Sequence, residues 1–304
     1  MRTKKSARDG GYISIASWRQ FEDLIRDPVY RGWAFRGQAD ADAPLLSALS
    51  RQLLYAGVHR DAWPGQEERI LRIFQRKAHL FLTHIPPDDD SFQWLGLMQH
   101  HGAPTRLFDL TWSPYVAAFF ALERGLERSA VWAFNAAEIN GPDVVTVAEG
   151  RQVDLRSIGM WMRGSYERDF LHSDVPFVVI GEPRVMNHRL VAQSGTFMVP
   201  GVLDKTVDEI LAGYKTDQRL VVRFEFETEK VRSEAMRALY SMNITYSTLF
   251  PGLDGLARSL AYELEFHWAF DPRTMEPFPG FPPPHDLDEW GVSGTRARTA
   301  RPKP

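Results

Sequence analysis

Residues 99–114, with the sequence QHHGAPTRLFDLTWSP, place two imidazoles, a guanidinium and a carboxylate around a Gly-Pro turn. Gly102 and Pro104 both interrupt regular structure, so we expect the polar side chains around them to lie on a rigid turn. Ser113 and Pro114 predict the start of a helix, with an N-cap hydroxyl followed by proline at the first helical position. Polar groups held by a buried helix are typical of a binding or catalytic site.

A second segment of the same character is WAFRGQ, residues 33–38. Apolar residues lead into Arg36, and Gly37 follows at once. This pattern predicts a short strand that brings one cation to a point where the backbone turns or approaches a ligand closely. We expect Arg36 to be partly buried and to bind either a structural carboxylate such as Asp109 or a bound phosphate.

The hydrophobic pattern along the rest of the chain predicts a mixture of helices and strands. Helices are predicted after Ser17, over residues 66–83, after Ser113, over about 229–241, and from 253 onward, where leucines 253, 256, 260 and 264 form one stripe. Strands are predicted at residues 130–134, 176–180, 190–199 and 220–226. This order predicts one α+β domain over residues 12–270, with a central β-sheet or split β-sheets flanked by helices.

The composition is that of a globular protein with a sizeable core. The 304 residues are 44% hydrophobic and 12% aromatic, and they include no cysteine. The sequence therefore excludes disulfides, thiolate metal sites and a cysteine nucleophile. Because no apolar run approaches the ~20 residues that span a bilayer, and the N-terminal MRTKKSARDG lacks the apolar core of a signal peptide, we expect a soluble, cytoplasmic protein without a membrane partner.

The net charge of −3 is distributed unevenly. Residues 1–10 carry +3 and residues 291–304 carry +4, so the remaining residues account for a charge of −10. We interpret residues 1–11 as a basic N-terminal arm and residues 271–304 as a Pro-rich basic C-terminal tail. The acidic body disfavours electrostatic binding of duplex nucleic acid, although the basic tails could contact a phosphate backbone.

Four blocks of sequence carry a family resemblance. They are Phe35-Arg36-Gly37, the run HHGAPTRLFD at residues 100–109, the run RLVAQSGTF at residues 189–197, and the run LFPGLDGL at residues 249–256. In this order the chain resembles the FRG-domain family, named for its Phe-Arg-Gly tripeptide, over roughly residues 12 to 262. The family is known chiefly as an uncharacterised bacterial module, found alone or fused to other domains.

The order of elements is also similar to the arginine, serine and glutamate arrangement of ADP-ribosyltransferases. An arginine-glycine pair ends an early strand, a serine segment leads into a helix from Ser113 to Phe120, and a β-rich half follows. In that family the arginine holds an NAD phosphate, the serine strand shapes the nicotinamide pocket, and a glutamate binds the ribose or activates the acceptor. The resemblance implies an ADP-ribosyltransferase-like fold and NAD-dependent ADP-ribosyl transfer, or NAD cleavage, in a bacterial toxin or phage-defence setting. NAD would be the substrate, and the acceptor would be a protein or a nucleic acid.

Ten residues are site candidates, from the residue patterns above and from this resemblance. The catalytic candidates are His100, His101, Asp109 and Gln193, and the cofactor-binding candidates are Arg36, Gly37, Gln38, Arg106, Ser113 and Arg189. A planar, permanently charged guanidinium suits a pyrophosphate oxygen, which favours Arg36 as the phosphate ligand. Because neighbouring side chains point apart in an extended chain, we expect at most one of the two histidines in the pocket.

The glutamate has no counterpart at the expected place. By spacing, residues 188–193, HRLVAQ, form the strand that should bear it, and this segment contains no acid. Glu263 and Glu265 resemble the required tripeptide, but the leucine stripe places them on a helix, where two such residues face about 200° apart. A solvated helix face is therefore the preferred interpretation of these two residues.

Two other functions remain open. The missing glutamate favours a non-catalytic module that binds a nucleotide or nucleic acid, and His101 with Asp109 could serve a metal-independent nuclease. No metal ligand is predicted, since the histidines lack His-x-x-x-His or HExxH spacing. Glycine-rich dinucleotide loops, P-loops and the Gly-x-Ser-x-Gly elbow are also absent from the sequence.

Overall fold

The structure is a computed structural model, and it describes residues 12–141, 144–146, 152–155, 158–160, 162–267 and 269–280. The basic arm predicted at residues 1–11 lies outside the described residues, as do residues 281–304 of the predicted tail.

A mixed sheet of seven strands forms the centre of the fold. Its strands lie in the order β1-β9-β4-β2-β3-β8-β7, with β1 parallel to β9 and all other neighbours antiparallel. A separate pair, β5 and β6, is also antiparallel. The strands are β1 (Ile13–Ile15), β2 (Ala34–Gln38), β3 (Phe108–Thr111), β4 (Arg128–Phe134), β5 (Val144–Thr146), β6 (Gln152–Asp154), β7 (Val178–Gly181), β8 (Gly195–Pro200) and β9 (Val221–Glu227).

Helices flank this sheet, so the fold class is α+β, as predicted. They are α1 (Trp18–Ile25), α2 (Ala48–Tyr55), α3 (Trp63–Ala78), α4 (Ser91–His100), α5 (Pro114–Leu122), α6 (Ala136–Asn140), α7 (His188–Ala192), α8 (Val207–Ala212), α9 (Thr228–Ser241), α10 (Tyr246–Leu249) and α11 (Leu253–Glu265). Among the residues described, no helix is both long and apolar enough to cross a membrane.

Two of the predicted helix starts, at Ser17 and Ser113, are confirmed in atomic detail. The Ser113 hydroxyl accepts a hydrogen bond from the Val116 N–H, and Pro114 is the first residue of α5. At α1 the Ser17 hydroxyl accepts from the Gln20 N–H, and the Gln20 side chain accepts from the Ala16 N–H. Each cap satisfies N–H groups that have no partner inside the helix.

Two large apolar clusters hold the helices to the sheet. One packs α1, α5 and α9 against the middle strands through Phe21, Phe119, Phe224 and other buried residues. The other surrounds β7 and β8 and includes Phe92 and Trp94 of α4. Strand β8 is buried along its whole length, which fixes the segment directly before it.

The strand predicted over residues 190–199 is wrong in its first half. Residues His188–Ala192 form α7, because the Asn187 side chain caps the Leu190 N–H and starts a helical turn. The chain then reverses at Ser194, whose φ of 46° lies in the left-handed region, and β8 begins at Gly195. Residues 188–193 therefore lie on a helix and its C-cap, not on the strand that the missing glutamate would occupy.

The prediction that the polar side chains around Gly102 and Pro104 lie on a turn needs a similar correction. Gln99 and His100 are the last residues of α4, and His101 is its C-cap. The turn itself begins at Gly102, whose φ of 81° favours glycine. The two histidines thus lie at a helix C-terminus rather than on an extended chain.

Candidate functional site

Three segments that are distant in sequence meet at one cleft. The C-terminal end of α4, the middle of β3 and the α7–β8 junction form its walls, and its cavity volume is about 10 Å³. Its lining residues are Gly96, Gln99, His100, Asp109, Asn187, Arg189, Leu190, Gln193 and Phe197. Four of the ten site candidates therefore come together here: His100, Asp109, Arg189 and Gln193.

Asp109 supplies the carboxylate of the cleft. It lies on β3 opposite Phe197 of β8 and is half-buried. Its Oδ2 accepts a hydrogen bond of 2.9 Å from Gln99 Nε2, and Gln99 Oε1 in turn accepts one of 2.6 Å from Thr105 Oγ1. This chain of hydrogen bonds fixes the orientation of the carboxylate.

Only one of the two histidines lines the cleft. His100 is half-buried, whereas His101 is exposed, and their rings meet edge to face with centroids 4.7 Å apart. Nδ1 of His100 is buried and has no hydrogen-bond partner among the described residues. Burial, His101 and Arg189 lower the pKa of His100, while Asp109 acts in the opposite direction. The neutral imidazole is therefore the favoured form near pH 7.

Arg189 and Gln193 close the other side of the cleft. The Arg189 guanidinium lies 4.6 Å from the centroid of the Phe250 ring, and its Nη1 donates to the His100 carbonyl at 3.4 Å. Gln193 is 7% exposed, and its Nε2 donates to the Leu249 carbonyl at 3.0 Å. Arg189 is thus the cation of the cleft, while the amide group of Gln193 ties α7 to α10.

Arg36 lies on the other face of the sheet. Phe35 is paired with Thr111, which shares a face of β3 with Asp109, so the next residue, Arg36, points to the opposite face. Its Nη1 donates to the main-chain carbonyl of Asp109 at 2.8 Å, and its guanidinium lies over the Phe108 ring. Burial and Arg51 lower the pKa of Arg36, whereas Asp109 raises it. Arg36 therefore braces the backbone of β3 instead of pairing with the Asp109 carboxylate.

Arg106 is enclosed in the core. It is 1% exposed, and its Nε and Nη2 donate to the two carboxylate oxygens of Glu67, which is equally buried. Nη1 donates to the carbonyls of Phe170, Pro200 and Gly201. All three guanidinium nitrogens are thus engaged inside the core, and Arg106 does not line the cleft.

The remaining three candidates hold elements together. A Cβ on Gly37 would lie 2.0 Å from the Ala117 carbonyl oxygen, so glycine permits the close approach of β2 and α5. Gln38 donates to the Ala43 carbonyl and accepts from Trp132 Nε1 at 2.8 Å. The Ser113 hydroxyl is used as the cap of α5.

The two helical glutamates are also engaged by neighbours, as expected for a helix face. Glu265 forms a bidentate ion pair with Arg232 and accepts a second contact of 2.8 Å from Arg273. Glu263 accepts a hydrogen bond of 2.8 Å from the Tyr240 hydroxyl. Both lie on α11, and neither lines the cleft.

Three further residues of this region were not predicted. Gln99 orients Asp109, Asn187 caps α7 and lines the cleft, and Ser194 adopts a left-handed backbone between Gln193 and β8. The Ser194 carbonyl accepts from the Trp112 N–H at 2.9 Å, which ties this turn to the end of β3. A non-glycine residue in this conformation is uncommon and marks locally stored strain. Asn187 has a visible sequence signal, since asparagine is a preferred N-cap residue.

Acidification should destabilise the protein through His100. Its pKa in the folded state is lower than in the unfolded chain, where it is about 6.5. The unfolded state therefore binds the proton first, so stability is lost as the pH falls below about 6.5. Urea unfolding at pH 7.5 and pH 5.5 measures the loss. His100→Gln should reduce the difference in unfolding free energy between the two pH values. A larger reduction in the control His101→Gln would show that the effect comes from His101 and not from His100.

A comparison with known protein families finds a match over part of the chain. Residues 31–130 match the family model of the FRG domain, so the family resemblance seen in the sequence is confirmed over those residues. The match includes β2, β3 and the cleft residues Gly96, Gln99, His100 and Asp109, and it ends before Arg189 and Gln193. No curated protein and no solved structure matches the chain.

Proposed function

We propose that the cleft binds the nicotinamide-ribose end of NAD and catalyses ADP-ribosyl transfer or NAD cleavage. One observation carries the proposal: Asp109 and His100 line the same cleft, and the buried Nδ1 of His100 has no hydrogen-bond partner among the described residues. A fixed carboxylate can stabilise the positive charge that develops on the ribose, and a neutral imidazole can accept a proton from the attacking group.

The chemistry assigns one role to each group. Cleavage of the bond between the nicotinamide nitrogen and ribose C1′ leaves the electron pair on nicotinamide and positive charge on the ribose. The Asp109 carboxylate would stabilise that charge, as carboxylates do in glycoside hydrolysis. His100, held neutral by its lowered pKa, would accept the proton of the attacking water or acceptor group.

The size of the cleft limits how much of NAD it can enclose. Sites that enclose a whole small-molecule ligand measure about 300–1,000 Å³, whereas the cavity of this cleft is about 10 Å³, roughly the room that one water molecule needs. The reacting end would therefore lie at the mouth of the cleft, and the pyrophosphate would lie beyond its rim. Arg189 is the cation placed to bind it, because a guanidinium matches phosphate oxygens with two donors.

The setting and the acceptor follow from the sequence resemblance alone. We propose a bacterial toxin or phage-defence role with a protein or nucleic acid acceptor. The nuclease alternative required His101 beside Asp109, and His101 is exposed and does not line the cleft.

A second candidate function is nucleotide binding without turnover. Gln193 belongs to the sequence segment in which the resemblance leads us to expect a glutamate, and its side-chain nitrogen is committed to the Leu249 carbonyl. An amide carries no negative charge, so it stabilises a cationic ribose less than a carboxylate does. This observation favours a domain that recognises NAD or a related nucleotide without consuming it.

Product analysis with labelled NAD distinguishes the two functions. The protein is incubated with NAD and a cell lysate, and modified protein, modified nucleic acid and free nicotinamide are measured separately. Label in a macromolecule indicates transfer, and free nicotinamide alone indicates hydrolysis. We expect turnover to fall by about 10²–10⁴-fold in Asp109→Asn and His100→Gln, the usual contribution of an acid-base group, and to change little in His101→Gln.

Each remaining outcome has a definite meaning. If NAD binds and neither product forms, the catalytic proposal is wrong and the binding function replaces it. If Asp109→Asn turns over NAD at the wild-type rate, the cleft is not the reaction site.

A further inference from the structure

Helix α11 carries an apolar face that no described residue covers. Leu253, Leu256, Leu260 and Leu264 are 79%, 52%, 58% and 83% exposed. Their spacing of three, four and four residues places all four within an arc of about 80° on the helix surface. Ala257 and Ala261, beside the leucines, are exposed as well. We call these six residues the leucine face.

The opposite side of α11 fixes this orientation. Tyr262 stacks on Tyr240 with ring centroids 4.2 Å apart and on Phe266 at 4.5 Å. Gly255 is buried, and a Cβ there would lie 1.8 Å from the Phe250 carbonyl oxygen. Glu265 is held by Arg232. Stacking, close packing and an ion pair anchor the inner side of α11, so the leucine face on its other side points towards solvent.

The leucine face is large enough to be an interface. The exposed fractions of the four leucines together equal nearly three fully exposed leucine side chains. With the two alanines this is an apolar patch on the order of several hundred Å², the size of the largest patch on a typical soluble monomer, which is often functional. Two such patches approach the roughly 1,000 Å² that is the lower limit for a specific interface.

The spacing of the leucines is nearly the same when read in either direction. In an antiparallel pair of α11 helices, Leu253 of one copy would meet Leu264 of the other, and Leu256 would meet Leu260. A two-fold axis brings identical patches together, so this symmetry suits self-association. The small side chains of Ala257 and Ala261 permit close approach of the helices.

We propose that this face is the dimer interface of the protein, and that the partner is a second copy of this chain paired through α11 in antiparallel orientation. The proposal is independent of the chemistry assigned to the cleft, since none of the six residues lines it.

Sedimentation velocity of the full chain tests the proposal. The wild type should sediment as a dimer as its concentration is raised, and Leu260→Glu and Leu264→Glu should sediment as monomers, because each places a charge in the apolar contact. Leu80→Glu is the matched control, since Leu80 is 72% exposed and lies outside α11. It should remain dimeric. Circular dichroism confirms that each variant is folded, and two separate glutamate variants guard against failure of one to fold.

Three results would overturn the proposal. One is a wild type that stays monomeric at every concentration, which would leave the leucine face to another segment or another protein. Another is a dimer that persists in both α11 variants. The third is equal dissociation in Leu80→Glu, which would show that the effect is not specific to α11.

Discussion

Replacement of Glu67 by glutamine should lower the free energy of unfolding by about 3–5 kcal/mol, the cost of removing one partner from a buried ion pair. Glu67 and Arg106 are each 1% exposed, so water cannot replace the lost charge. Burial alone would lower the pKa of Arg106, yet the adjacent Glu67 raises it, so the arginine stays charged in the core. Without the carboxylate, the guanidinium would be an uncompensated buried cation.

The control for this experiment is the next residue along α3. Glu68 pairs with Arg72 at the surface, where its side chain is 50% exposed. Glu68→Gln should therefore cost about 0–1 kcal/mol. Chemical denaturation measures the free energy of unfolding of both variants. Equal losses in the two would show that burial of the Glu67–Arg106 pair does not increase its contribution to stability.

Replacement of Gly37 by alanine should cost about 3 kcal/mol or more, the upper end of the range for overpacking. The added Cβ would lie 2.0 Å from the Ala117 carbonyl oxygen and 2.6 Å from the Ala121 nitrogen. Both atoms belong to the backbone of α5, so neither can move without displacing the helix. The glycine of the Phe-Arg-Gly tripeptide thus has a packing explanation that requires no ligand.

Gly65→Ala is the matched control for Gly37→Ala. Gly65 lies in α3 with open space around its Cα, and alanine favours helix more than glycine does. This variant should be as stable as the wild type or more stable, by up to about 1 kcal/mol. Thermal unfolding checks both, and a Gly37→Ala protein as stable as Gly65→Ala would contradict the close packing of β2 and α5.

The sequence predicted features that depend on neighbouring residues, such as helix caps, better than it predicted the face of the sheet to which each side chain points. The cap formed by Ser113 and Pro114 depends on neighbouring residues only, and it is present as expected. The run of Leu190, Val191 and Ala192 predicted a strand from its composition, whereas Asn187 starts a helix there. A short apolar run does not distinguish the two, and the cap was the better signal.

The sequence predicted only part of the site, because motifs are visible in it and the packing and register of the elements are not. His100, Asp109, Arg189 and Gln193 converge because α4, β3 and α7 pack together, and the motifs indicated those four residues. The sequence could not show that Arg36 and the Asp109 carboxylate leave opposite faces of the sheet, since this depends on the register of β2 against β3. Nor could it show that Arg106 would find Glu67, which lies on α3, 39 positions earlier in the chain.

Calorimetric titration with NAD and ADP-ribose tests the central claim, that this cleft holds the ligand. The critical pair of variants is Arg189→Gln and Arg258→Gln, because both guanidiniums lie over the Phe250 ring and only Arg189 lines the cleft. We expect saturable binding by the wild type, a loss of about 1.5–3 kcal/mol in Arg189→Gln, as for a charge-assisted hydrogen bond, and wild-type affinity in Arg258→Gln. Arg36→Gln, measured beside them, should bind like the wild type. An absence of NAD or ADP-ribose binding to the wild type would contradict the claim. So would a loss of affinity in folded Arg36→Gln together with unchanged affinity in Arg189→Gln.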